Sequence, residues 1–197
     1  MAEPAVAYPA WYVHRWHFLP EGYLSRRSVA AYDAMVRNVY NVAAEGEIIR
    51  TMVRKVRDAR PVNVLDLGCG PGRYLAALRK ALPASNLTGA DLSPFMLELA
   101  RDRLAAAPGI RLVHGDAREL PFDDASFEAI TATHFFGHLP KAEAATALAE
   151  ARRLLAPGGR LFVVDHSWHP RIGTRLRSLG LARLLGGLQR LEVFEPA

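Results

Sequence analysis

Cysteine is nearly absent from this sequence: Cys69 is the only one among 197 residues, so no internal disulfide can form. Met1 to Ala10 also lack the charged-then-apolar layout of a secretory leader, and the expectation is a reducing cytoplasm. No apolar run approaches the roughly 20 residues needed to cross a bilayer. Low-complexity blocks, a collagen-like period and solenoid-spaced repeats are missing too, which excludes fibrous and array architectures. Acid is missing locally: residues 171–190 hold Arg171, Arg175, Arg177, Arg183 and Arg190 but no Asp or Glu, and these five equal the whole net charge of +5. Such a stretch suits an anionic lipid surface, nucleic acid or a solvated face. What is present is a chain that is 50% hydrophobic and 23% charged, enough to bury one sizeable core as a single domain.

Three regions follow from the patterning. Residues 1–60 open with Trp11, Tyr12, His14, Trp16, His17, Phe18 and Tyr23, then read as helical from Ser28 to Arg57, giving an N-terminal helical cap. Residues 61–165 alternate between strand and helix periods, as in a parallel sheet covered on both faces. Strands are expected at Val62–Leu67, Leu87–Asp91, Ile110–His114, Ala129–Thr133 and Leu161–Asp165, with helices from Arg73 to Leu82, Ser93 to about Ala107 and Lys141 to Leu155. Ser93 suits an N-cap and Pro94 a first helical position. Residues 166–197 read as a Leu/Arg-rich helical stretch broken by Gly173, Gly180, Gly186 and Gly187, with one further strand at Leu191–Phe194. The fold class is therefore α/β, a doubly wound, mostly parallel sheet with a shortened C-terminal part. Right-handed crossovers bring the C-terminal ends of the parallel strands to one edge, where ligands bind.

The sharpest local signal is Val64-Leu65-Asp66-Leu67-Gly68-Cys69-Gly70-Pro71-Gly72, an apolar strand that ends in an acid and three glycines before a helix. Glycines let a ligand approach the backbone, and amides at a helix start meet polar groups. Asp66 disfavours a pyrophosphate and favours an ammonium or sulfonium at the same place. The glycine spacing also departs from the dinucleotide G-x-G-x-x-G pattern. Asp91 follows Gly70 by 21 residues at the end of the second strand, where an acid can accept both hydroxyls of a ribose. Asp116 ends the third strand and can accept an exocyclic amine. The three acids lie 25 residues apart at successive strand ends.

With VLDLGCGPGRY (64–74), GADLSPFMLELAR (89–101), GDARELPFDDASFEAI (115–130), His138-Leu139-Pro140 and LLAPGGRLFVVD (154–165) in this order, the region from Asp33 to His166 resembles the class I S-adenosylmethionine-dependent methyltransferases of the small-molecule type that includes the quinone and phospholipid enzymes. The resemblance implies S-adenosylmethionine as cofactor. It places Asp66, Gly68 and Gly70 around the methionine part, with Cys69 as a packing residue in the same turn. Asp91 falls on the ribose diol, Leu92 against adenine, Asp116 on its amine and the Ala117 amide on its ring. Thr133 lines the path to the methyl group. The family's usual antiparallel strand pair after the fifth strand is expected here to be reduced to one strand, which leaves an edge for a homo-oligomer or partner.

Methyl transfer asks the protein mainly to align acceptor and methyl in a dry pocket, and a phenol, alcohol or carbon acid also needs a base. His166 is the first candidate for that base or for an acceptor hydrogen bond, and His134 the second; His138 is expected to fix a loop, and His169 lies nearby. No metal is assigned, because no Cys or His set has zinc-site spacing on one element. The aromatic cap from Trp11 to Tyr32, with Trp168, suggests a flat or lipophilic acceptor. Alternatives are a cofactor-binding partner without catalysis, motivated by the short C-terminus, and a nucleic-acid methyltransferase, motivated by a pI near 9.7. Against the second stands the lack of a nucleic-acid module or of an Asn/Asp-Pro-Pro-Tyr/Phe motif after the fourth strand.

Overall fold

The computed structural model describes residues 8–13, 19, 21–39, 42–166, 176–184 and 188–196. Two helices come first, α1 (Arg26–Val39) and α2 (Val42–Asp58), where the sequence reads as one stretch. On α2, Ile48, Met52 and Val56 recur at every fourth position and are fully buried against the sheet.

A seven-stranded sheet forms the centre, in the order β3-β2-β1-β4-β5-β7-β6. Its parallel part comprises β1 (Asn63–Leu67), β2 (Asn86–Asp91), β3 (Ile110–His114), β4 (Phe127–Thr133) and β5 (Leu155–His166). Alternate side chains feed two cores, as the period of two requires: Val64, Phe162 and Val164 pack on one face, Leu65, Leu161 and Val163 on the other. Crossovers run through α3 (Arg73–Ala81), α4 (Pro94–Leu104) and α5 (Lys141–Leu154). Ser93 caps α4 as expected, its Oγ accepting the Met96 N–H at 3.1 Å. The same hydroxyl donates to the Tyr23 carbonyl at 2.5 Å, which ties the N-terminal region to the start of α4.

The C-terminus corrects the sequence reading. Instead of an interrupted helix and one strand, the chain forms β6 (Leu176–Leu184) and β7 (Gln189–Pro196), antiparallel to each other, with β7 antiparallel to β5. The strand pair is complete, so the chain is not shortened there and the edge strand is β6. Gly180 sits at a register shift in β6 with open space around its α-carbon, a bulge position rather than a helix break. The expectation failed because β6 is exposed along most of its length, which hides the alternation that marks a half-buried strand. Gly173, Gly186, Gly187, Arg171 and Arg175 lie outside the described residues. Among the described residues, no helix is long and apolar enough to cross a membrane.

Candidate active site at the strand ends

The C-terminal ends of β1 to β4 converge on two cavities that share Tyr32, Gly68, Gly70, Thr133, His134 and His138. Asp91, Leu92, Asp116 and Ala117 line the first, under Trp11, Tyr12 and Tyr23. Asp66, Cys69, Glu45, Arg73 and Tyr74 line the second, with Met35, Val36 and Ile48 as its apolar wall. Every expected cofactor residue therefore borders one cavity or both.

Asp66 is buried under the glycine turn, and its Oδ1 accepts the Thr131 hydroxyl at 2.7 Å. Burial raises its pKa to about 7 against that hydrogen bond, so the group is a carboxylate in balance with its acid near neutrality rather than a permanent charge. Asp91 fastens the turn: Oδ2 accepts the Gly70 N–H and Oδ1 the Ser93 N–H, each at 2.8 Å. Burial raises its pKa as well. The hydrogen bonds to both acids come from a hydroxyl and backbone amides, not from a cation, so a cationic ligand would relieve the cost of their burial. Gly70 has φ 51, and a Cβ there would meet nothing within 4 Å. That open cradle beside one buried and one half-buried carboxylate fits a nucleoside carrying a sulfonium and an ammonium.

Asp116 holds a partner that the sequence reading missed. Arg118 forks onto its two carboxylate oxygens, with Nη2 2.6 Å from Oδ2, and also reaches Glu143 at 2.5 Å. The guanidinium lies 5.8 Å from the Trp11 ring centroid. A ligand amine would share Asp116 with Arg118. Glu45 and Arg73, 2.5 Å apart and largely enclosed, also escaped notice, because the sequence sets them 28 residues apart on α2 and α3. Cys69 is buried, and a Cβ on Gly89 would come within 2.9 Å of its Sγ, as expected of a packing residue. Burial also pushes its thiol pKa up.

The histidines divide. His134, at the end of β4, has φ 50 and lies on the wall shared by the cavities. Burial pushes its imidazole down to about 4, with Asp165 opposing. His138 holds the loop as expected, its Nδ1 2.6 Å from the His134 carbonyl. His166, the first candidate, borders neither cavity; its ring stands behind His134, with centroids 5.3 Å apart. His169 and Trp168 lie outside the described residues.

A family model described as a methyltransferase domain matches residues 64–159. An uncharacterized 37.1 kDa protein in transposon TN4556 of Streptomyces fradiae is 43% identical over 113 residues, 56% of this chain and 32% of that protein. Demethylmenaquinone methyltransferase of Staphylococcus aureus is 40% identical over 104 residues, 52% of this chain and 42% of the enzyme. The alignments thus span less than half the length of these relatives. The fold is shared over a longer stretch: a TehB-like SAM-dependent methyltransferase from Corynebacterium glutamicum superposes with TM-score 0.70 at 22% identity, covering 88% of this chain and 100% of that one. Its strand order, its glycine turn and the match over residues 64–159 bear out the chain's similarity to the class I S-adenosylmethionine-dependent methyltransferases.

Proposed function

We propose that this chain transfers a methyl group from S-adenosylmethionine to a small aromatic or lipophilic acceptor. The observation that carries the reading is the open Gly70 cradle between buried Asp66 and half-buried Asp91, joined at Thr133 and His134 to a second cavity with an apolar wall. Asp91 would hold the ribose hydroxyls with lone pairs left over from its two amide bonds, and Leu92 and Ala117 would flank adenine beside Asp116. Asp66, Gly68 and Gly70 would meet the methionine end. Bound there, the cofactor supplies an activated methyl group on a sulfonium.

The chain's own contribution is alignment and exclusion of water. Tyr12, Tyr23 and Tyr32 form a series of ring contacts, with Tyr12 and Tyr23 centroids 6.2 Å apart and Tyr23 edge-on to Tyr32 at 5.5 Å, and all three border the first cavity. Thr133 lines the junction, and its hydroxyl lies 3.6 Å from the Met52 sulfur of α2. His134, with His166 behind it, makes the polar corner that an acceptor meets, as proton acceptor or hydrogen-bond partner. The ring-lined walls favour flat acceptors. A hydroquinone is the first class to try, since the Staphylococcus aureus relative is a demethylmenaquinone methyltransferase.

The full chain incubated with S-adenosylmethionine and, separately, hydroquinones, phenols, amines and phospholipids should yield a product heavier by one methylene, read by mass, in the hydroquinone or phenol samples. Product only from amines or phospholipids would overturn the acceptor class. No product from any of them, despite cofactor binding, would favour a non-catalytic partner.

A further inference from the structure

We propose that His134, Asp165 and His166, at the ends of β4 and β5, bind a divalent first-row transition-metal ion. Their candidate donor atoms, two imidazole nitrogens and one carboxylate oxygen, all lie within 4.8 Å of one another. Bonds of about 2.1 Å around a tetrahedral ion set donors about 3.4 Å apart, so small inward rotations of the rings complete the set.

The surroundings hold each donor in place. Asp165 is only 3% exposed; its Oδ2 accepts the Gly137 N–H at 2.7 Å and its Oδ1 the His166 N–H at 2.9 Å, and each oxygen keeps a further lone pair. The amide nitrogen of Gln189, buried on β7, lies 2.8 Å from His166 Nδ1, and turning that amide over sets its otherwise unpartnered Oε1 to accept an Nδ1–H, which orients the ring and leaves Nε2 as the coordinating atom. His134 stands in a left-handed conformation that few non-glycine residues adopt, while its N–H donates to the Val164 carbonyl at 2.7 Å and binds the end of β4 to β5. Backbone strain of this kind at a side-chain cluster is characteristic of functional sites.

Two imidazoles and a carboxylate select zinc, cobalt, nickel or ferrous iron over magnesium and calcium, which prefer all-oxygen shells. Three protein ligands leave a coordination position open. Because His134 borders both cavities, that position faces the acceptor corner of the proposed function, and the inference rests on that reading only for this placement. It changes the corner's role from hydrogen-bond partner to ion ligand, and it favours acceptors that present an oxygen anion.

The test titrates the chelator-stripped full chain with Zn2+, Co2+ and Mg2+ by calorimetry, and reads Co2+ loading by visible absorption. The expected result is one Zn2+ or Co2+ per chain with a Kd below about 10 μM, Mg2+ far weaker, and His134→Gln and His166→Gln each weakening binding about tenfold or more. Should His134→Gln not fold, His166→Gln alone decides. No Zn2+ uptake by the folded chain at about 100 μM, or uptake that the variants leave unchanged, would overturn the site. S-adenosylhomocysteine is titrated in parallel: its binding to a chain that takes no ion overturns the metal site alone, and ion binding without it overturns the cofactor reading alone.

Discussion

At the scale of single residues, the proposed site is built around carboxylates that the fold partly or wholly removes from water. Asp66 is the clearest case, with its pKa raised from 3.8 to about 7 by burial. An acid raised in the folded state destabilises that state as pH climbs, here between about 4 and 7, because the native form binds the extra proton. The neutral amide of Asp66→Asn should remove that penalty, so its stability advantage over the parent should grow across the window and reach a few kcal/mol at most. Denaturant melts at pH 5 and pH 8 check this; an advantage that shrinks with pH would contradict the buried assignment. The ammonium of S-adenosylhomocysteine prefers the ionised carboxylate, so its affinity should rise through pH 7 in the parent and stay flat in Asp66→Asn.

The proposal gives Asp91 two roles, since its oxygens hold the Gly70 and Ser93 amides and the residue lines the first cavity. Asp91→Ala should therefore weaken S-adenosylhomocysteine binding about 10- to 100-fold and also lower stability by about 2 kcal/mol as the amides lose their acceptor. Unchanged affinity by calorimetry would remove the ribose role, and unchanged stability would remove the fastening role. These acids were legible in the sequence because a βα unit puts the residues at and just beyond a strand's end at the ligand edge, and the 25-residue spacing matches three successive units, although Asp116 falls two residues past the end of β3 rather than on it. Arg118 on Asp116 was not, since an Arg two residues on reads equally well as a solvated side chain.

At the scale of elements, start signals were legible and long-range partners were not. Ser93-Pro94 announced α4, and the structure shows the cap bond. Ser93→Ala should cost about 1 kcal/mol, more if the bond to Tyr23 is also felt, as a thermal melt would register. The pair Glu45–Arg73 connects α2 to α3 with about 15% exposure of each side chain. Glu45→Leu strands the guanidinium, whereas Glu45→Leu with Arg73→Leu removes both charges, so the double variant should be the more stable of the two. A double variant that loses more than the single would show the pair itself to be stabilising. β6 shows the opposite failure: an exposed edge strand of Leu, Arg and Gly carries no alternation, and only its pairing to β7 identifies it.

At the scale of the molecule, the order β3-β2-β1-β4-β5-β7-β6 brings Asp66, Asp91, Asp116 and His134 to one rim although they are spread over 69 positions in the chain. Parallel strands with right-handed crossovers produce that convergence. Loaded with S-adenosylhomocysteine at about 100 times its Kd, the chain should gain about 2.7 kcal/mol, a rise of roughly 2 to 4 °C in Tm. The most direct measurement is a crystal structure with S-adenosylhomocysteine. It should show one molecule per chain, its ribose hydroxyls on Asp91 and its backbone-facing side over Gly70. A nucleoside bound elsewhere, or a rim that stays empty at saturating ligand, would contradict the account.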